Sequence, residues 1–388
     1  MNRARSGLCL VLASVAGVIW LAGTLPADSP KSSAPLLKNV QTGNPQLKSV
    51  GTIAFGPQGV LLIADPQSAG FVAIQTSDLG PIVKLKKKVN DVRGLVGSAM
   101  GAPPDGIDIA DMTVNPLSGK IYLSVTRKAD KQPAILTIDA DGKVADLALA
   151  NVKYVRVSFP EADRAKLRII TDLKVASDRV VVAGQSSEEF SSRVYSVPFP
   201  LTHDGSGKVL STETYHVAHG KWETRAPIQS FVPYEENGES FVVGAFACTP
   251  IAKFPLADVK DEGKVKGTSV VELGSGNRPL DMFTYEKGGK KWLVTNTFRF
   301  HFAKNTFGPS KWWGVRVSMD YLNAQNINEK AARRDLATKA GPDGIEIVDA
   351  LFGAVQVAQL DNDQIVVLRA DSATDTDANL SLELAQLP

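Results

Sequence analysis

Val60-Leu-Leu-Ile-Ala-Asp65 is the first copy of a short apolar strand that decides how the whole chain is read. It recurs as Lys120-Ile-Tyr-Leu-Ser-Val125, Arg179-Val-Val-Val-Ala-Gly184 and Ser240-Phe-Val-Val-Gly-Ala245. Two more copies follow, Lys291-Trp-Leu-Val-Thr-Asn296 and Gln364-Ile-Val-Val-Leu-Arg369. The first four begin about 60 residues apart, the fifth about 50 further on and the sixth about 75 after that. A recurring period of this size marks an architecture built from one repeated supersecondary unit.

Each copy has similar surroundings. Before it comes a strand and a tight turn, as in Ile53-Ala-Phe55 then Gly56-Pro57-Gln58-Gly59, or Met112-Thr-Val114 then Asn115 to Gly119. Asp178, Asn237-Gly238, Gly288-Gly289 and Asp361-Asn362-Asp363 punctuate the other copies, and such residues supply hairpin turns. After the first five copies comes another strand: Phe71 to Gln75, Ala134 to Ile138, Arg193 to Val197, Pro250 to Pro255 and Trp313 to Val317. Fourth strands are read at Val144 to Leu149, Thr212 to Val217 and Ser269 to Leu273.

A lone four-stranded sheet of this composition leaves both faces uncovered, whereas radial stacking buries them and protects the edges. The expected fold is therefore all-β, a six-bladed β-propeller, with a seventh blade in the long gap before the last copy as the alternative. Two stacked sandwiches would account for the strands but not for the period. Asn90 to Met100 and Gln325 to Ala340 read as short helical insertions. They precede Pro104-Asp105-Gly106-Ile107 and Pro342-Asp343-Gly344-Ile345, and both are expected on one face. The Leu85-Lys-Lys-Lys88 run reads as a solvated outer strand.

Residues 1–27 have the three-part layout of a secretory signal peptide: Arg3 and Arg5, an apolar run from Leu8 to Ala22, then Pro26-Ala27. That run is shorter than a membrane span requires. Residues 28–46 are expected to be a linker or ring-closing segment, and 47–388 the propeller domain, giving a secreted or periplasmic protein. The final strand, Leu380 to Leu387, would be completed from the segment between Lys31 and Leu47. Lys+Arg 43 against Asp+Glu 41 points to neither nucleic acid nor an anionic membrane as partner. Cys248 alone would survive cleavage, so no internal disulfide is expected and the core must carry stability.

The Asn277-Arg-Pro-Leu-Asp281 phrase, the Pro-Asp-Gly-Ile turns and the strand–turn–strand cadence resemble the six-bladed TolB-like superfamily. That group includes NHL-repeat proteins and gluconolactonase/regucalcin-like lactonases, and the resemblance spans roughly residues 45–388 as architecture. The fold hosts hydrolases, ligand sensors and protein-binding scaffolds alike.

Aligned by the apolar strand, three units place a carboxylate just before the innermost strand: Asp111, Asp172 and Asp281. Thr52, Gln229 or Ser230, and Ala354 stand there in the others. Two readings remain open for the aspartates. Each would accept backbone N–H groups from the next blade and lock the ring, or the three would hold a cation, for which oxygen ligands suit Ca²⁺. The resemblance to the lactonases implies a divalent metal in about that place.

Arg278 would either pair with a neighbouring Asp or hold a substrate carboxylate at the channel mouth. Thr297 to Trp313 reads as a long aromatic loop interleaved with cations, in which Arg299, His301 and Trp312 are candidate ligand-binding residues. Alternatively Phe298, Phe300 and Phe302 form the buried face of a lengthened strand. His203, His216 and His219 lack zinc-site spacing, and no nucleophile elbow, Walker A sequence or haem-attachment sequence is present. The expected function is an exported, monomeric binding module for a protein, glycan or small molecule. The alternative is a metal-dependent lactonase-type hydrolase using Asp111, Asp172 and Asp281.

Overall fold

The computed structural model describes residues 35–388 except 206, 218, 249, 259–262, 275, 303–307, 324–331, 333–342 and 376. The signal-peptide layout of residues 1–27 lies outside the described residues, as does the helical insertion expected at Gln325 to Ala340 apart from Ala332. The chain is all-β, with few helices, and its small sheets have a propeller-like arrangement. Among the described residues no helix is long and apolar enough to cross a membrane.

Each apolar copy became the second strand of an antiparallel meander whose first strand lies innermost. The inner strands are β1 (Ile53–Phe55), β2 (Ile107–Val114), β3 (Leu167–Val175), β4 (Ile228–Glu236), β5 (Asn277–Lys287) and β6 (Ala354–Gln359). They touch in a closed cycle: β1 lies between β2 and β3, then follow β4, β5 and β6, and β6 returns to β2.

The apolar strands run continuously hydrophobic because both of their faces are covered. In Val60–Asp65, Leu61 and Ile63 join Tyr122 and Ile135 of the β2 unit, while Leu62 and Ala64 join Leu173 and Val182 of the β3 unit. In Arg179–Ser186, Val180 and Val182 face the β1 unit, and Val181 and Ala183 face Phe231 and Val242 of the β4 unit. Strand side chains alternate between faces with period two, so one short run supplies two interfaces. Leu61, Leu62 and Ile63 are each 0% exposed. Burying a side chain of that size stabilises by about 1.5–3 kcal/mol.

Counted by hydrogen bonding, the sheets do not separate into six equal four-stranded units. Lys208–His216 of the β3 unit pairs in parallel with Gly263–Glu272 of the β4 unit, and this joint fuses two meanders into one nine-stranded sheet. The β6 sheet has three strands. The β1 sheet has five, because Val152–Ser158 returns after the β2 unit to pair with Gly70–Gln75. The β1 unit therefore sits between the β2 and β3 units, out of chain order.

Ring closure differs from the sequence expectation. Of the amino-terminal segment, Gln41–Gly43 pairs with Val152–Ser158 and Leu37–Lys38 with Leu201–Thr202, so it braces the β1 and β3 units. Leu380–Gln386 pairs with Gln364–Ala370 and is bridged on its other side by Val89. The seam between the β6 and β2 units is covered by the connection through residues 82–89 and by helix α1 (Val92–Ala99), where the first helical insertion was expected. Val92 and Val96 of α1 are fully buried in the same cluster as Leu123, Leu368 and Leu382. The Leu85-Lys-Lys-Lys88 run is not an outer strand. Leu85 is buried in that cluster, while Lys86 pairs with Asp141 at 2.8 Å and Lys88 with Glu383 at 3.2 Å, one on each side of the seam.

Asp65 ends the first apolar strand and is 0% exposed. Its carboxylate accepts the N–H groups of Lys48 (3.1 Å) and Ser49 (3.0 Å), the hydroxyls of Ser49 (2.9 Å) and Ser68 (2.7 Å), and Arg156 Nη1 (3.1 Å). Burial alone would raise this carboxyl; the bonds from Ser68, Lys48, Ser49 and Arg156 outweigh it and hold it below the ordinary value of 3.8. A depressed carboxyl stabilises the fold above its unfolded pKa, and that contribution disappears as pH falls through the folded value. Asp65→Ala should therefore cost about 3 kcal/mol at pH 7, since it strands a part-buried Arg. The cost should shrink below pH 3.8. Urea unfolding of both proteins at the two pH values checks this, and equal stability at pH 7 would refute it.

Candidate functional site

The three aspartates sit at β-bulges, the register shifting between Ile109 and Asp111, Ile170 and Asp172, and Pro279 and Met282. A bulge re-aims a side chain, and here each turns a carboxylate toward the adjacent inner strand. Asp111 Oδ2 accepts Ile53 N–H at 2.7 Å and the Thr52 hydroxyl at 2.8 Å. Asp172 Oδ2 accepts Phe231 N–H at 3.0 Å and the Ser230 hydroxyl at 2.9 Å. Asp281 Oδ2 accepts Val357 N–H at 2.8 Å.

A bond runs back across each of these joints. Ser124 donates to Gly51 O (2.6 Å), Thr171 to Ile228 O (2.6 Å) and Asn296 Nδ2 to Ala354 O (3.2 Å). The inner strands are thus stapled in pairs, β2 to β1, β3 to β4 and β5 to β6. Thr52 and Ser230, which interrupt the aspartate pattern in the sequence, are the receiving halves of two staples.

All three aspartates line one central cavity of about 850 Å³. Lys174 lines it too, its Nζ 3.5 Å from Asp172 Oδ1. Burial would lower the Lys174 ammonium, but Asp172, Asp111 and Asp281 together raise it. Burial first, and then the neighbouring carboxylates, push Asp281 up to about 8; burial likewise raises Asp111, against the Ile53 N–H bond. Lys174 was not singled out in the sequence. It stands two residues after Asp172 in a strand, hence on the same face, and that spacing was the available signal.

The donor set does not fit a calcium ion. Each Oδ2 is committed to a neighbouring strand, and Oδ1 of Asp111 and of Asp172 accepts the following N–H at 2.8 Å. The positive charge among the carboxylates is the Lys174 ammonium. Among the described residues no three His, Cys, Asp or Glu side chains are grouped to hold a metal.

Arg278 lines the cavity, is exposed and has no ion-pair partner among the described residues. It stands opposite Phe298 in the ladder. Trp312 also lines the cavity, buried, with its ring 5.7 Å from that of Phe298. Arg299 is buried at 6% exposure, donates Nη2 to Ser310 O and lies against the Phe302 and Trp313 rings, so it braces the loop from within. His301 is exposed beside Gly276 and does not line the cavity. Of the aromatic run, Phe298 is partly buried and Phe300 is 52% exposed. His216 is fully buried and lowered to about 4 by that burial, with its ring 5.7 Å from that of His219.

These features define an all-β protein with a propeller-like fold and a polar cavity at its centre. No protein-family model matches the chain, and no curated protein matches it. Among solved structures it is similar to the major allergen Mala s 1 of Malassezia sympodialis, at 10% identity and TM-score 0.36, covering 90% of this chain and 96% of that one. A protein of unknown function from Dyadobacter fermentans aligns at 9% identity and TM-score 0.37, over 91% and 98% of the two chains. A mutant Trypanosoma rangeli sialidase displaying trans-sialidase activity aligns at 11% identity and TM-score 0.33, over 91% of this chain and 58% of that one.

A carboxyl raised in the folded state binds a proton that the unfolded chain has released, so stability falls as pH rises. The window for Asp281 runs from 3.8 up through about 8. His216 works oppositely, losing stability as pH falls from 6.5 toward 4. Above pH 6.5, therefore, the unfolding free energy should decline with pH in the native protein and decline less in Asp281→Asn. Denaturant melts at pH 6.5, 7.5 and 8.5 measure the two slopes, and parallel slopes would contradict the assignment.

Proposed function

We propose that the chain is an exported, six-bladed β-propeller of TolB-like type that acts as a non-enzymatic binding module. It takes a protein, glycan or small-molecule ligand on the face where the central cavity opens. The observation that carries this reading is the commitment of the cavity carboxylates to bonds between inner strands, beside an exposed Arg278 that has no ion-pair partner among the described residues and lines the same cavity. An arginine with an unused fork beside a partly apolar wall is suited to anchoring a ligand. Ile169, 47% exposed, adds apolar surface to the same cavity.

Support for six blades comes from the closed cycle of six inner strands. Separate apolar clusters lie between successive neighbours, and the nine-stranded sheet resolves into two meanders joined by a single parallel pair. Export rests on the composition of residues 1–27. The hydrolase reading draws on one observation, the raised Asp281 and Asp111 in a cavity, a trait shared by catalytic acids and buried structural networks.

The test uses residues 28–388, an immobilised glycan panel and a panel of small carboxylates, followed by calorimetry of the hits. Arg278→Ala should weaken a genuine hit by tenfold or more while leaving the melting temperature unchanged. Hits indifferent to Arg278→Ala would remove the cavity mouth from the binding surface. Turnover of a sugar lactone that Asp281→Asn abolishes would replace the binding module with the hydrolase.

A further inference from the structure

A second cavity, of about 710 Å³, lies on the other side of the Pro66–Ser68 turn. Pro66 lines the central cavity, whereas Gln67, Ser68 and Ala69 line the second. Its remaining walls are residues 41–48 of the amino-terminal segment, Tyr154 and Arg156 of the returning strand, the Arg164 turn and His203. Lys48, Arg156, Arg164 and His203 all line it, and no Asp or Glu does.

The nearest carboxylates do not neutralise this set. Asp65 lies beneath, fully buried, and its one ion pair is with Arg156. Asp204 is 3.6 Å from His203 Nε2 but has 77% of its side chain in solvent. Two full charges are left over. Lys48 is exposed and its ammonium has no hydrogen-bond or ion-pair partner among the described residues. Arg164 donates Nε to Phe159 O at 2.9 Å, which orients its guanidinium, and among the described residues its two Nη groups have no partner.

Part of the cavity is rigid. Arg156 is held by Asp65, by Pro45 O and by Gln46 O at 3.3 Å. His203 Nδ1 accepts Arg156 N–H at 3.4 Å, which places the neutral ring's proton on Nε2 as a further donor. Concave, like-charged walls focus potential and concentrate counter-ions. Donors on several walls suit an anion with oxygens pointing in several directions, and an oriented Arg fork is well matched to one.

We propose that this cavity is a binding site for a tetrahedral oxyanion, carried as a phosphate or sulfate ester on a larger molecule. Lys48 and Arg164 supply the neutralising charge. The volume exceeds that of a bare ion and suits the ester's organic part. The site is independent of the binding face at the central cavity.

Calorimetry of residues 28–388 with inorganic phosphate and with sulfate, against chloride at matched ionic strength, is the direct test. The comparison protein is Lys48→Gln/Arg164→Gln, both positions being exposed and outside the core, so that its melting temperature in chloride should equal the native value. Saturable binding of either oxyanion, weakened tenfold or more in the double variant and unchanged in Arg278→Ala, is the expected result. The tighter of phosphate and sulfate then identifies the ester. Heat indistinguishable from that of chloride, or binding that survives in the double variant, would overturn the proposal.

Discussion

A carboxylate facing the edge of the neighbouring inner strand is the contact on which the rest of this molecule depends. The inner strands crowd around an axis and cannot extend their hydrogen-bond ladders to one another. Their edge N–H groups need acceptors, and a buried N–H without one is costly. Asp111, Asp172 and Asp281 supply those acceptors at Ile53, Phe231 and Val357. The return bonds from Ser124, Thr171 and Asn296 fix each pair from the other side. Side-chain acceptors of this kind hold neighbouring sheets in register where no backbone ladder can form.

That solution has an electrostatic consequence. Three carboxylates share one cavity, where burial and neighbouring carboxylates oppose the ionisation of Asp281 and Asp111. Lys174 relieves the repulsion from within, and the raised Asp281 stays protonated up to about pH 8. This arrangement leaves the cavity polar and open above a floor whose groups already have partners, with Arg278 at its wall.

The order of the units follows from how the chain leaves the β1 meander. After Gly70–Gln75 it crosses to build the β2 unit and then returns as Val152–Ser158 against the strand it left. This crossing places the β2 unit beside the β6 unit, with Val89 and α1 packed across the seam. The amino-terminal segment is left to brace the outer edges of the β1 and β3 units. There, with Asp65 and Arg156 beneath it, it forms one wall of the second cavity.

Much of the fold was legible in the chain because period-two burial writes itself into short runs. Val60–Asp65 and its relatives carry apolar residues at consecutive central positions because both faces are covered, and their turns carry Gly, Asn, Asp and Pro where hairpins need them. The aspartate triad was visible as a repeated residue at a repeated place, and so was the possibility that it locks the ring. Pairing between units was not legible, because which edges meet is set by packing rather than by local pattern. Hence the crossing of units, the seam at residues 82–89 and the Lys208–His216 to Gly263–Glu272 joint appear only in three dimensions. The sites divide likewise. The sequence by itself determined which residues carry charge and which alternate inward. Only the tertiary structure decided that Lys174 neutralises the ring and that Lys48, Arg164 and His203, far apart in the chain, line one cavity, because long-range apposition has no local signature.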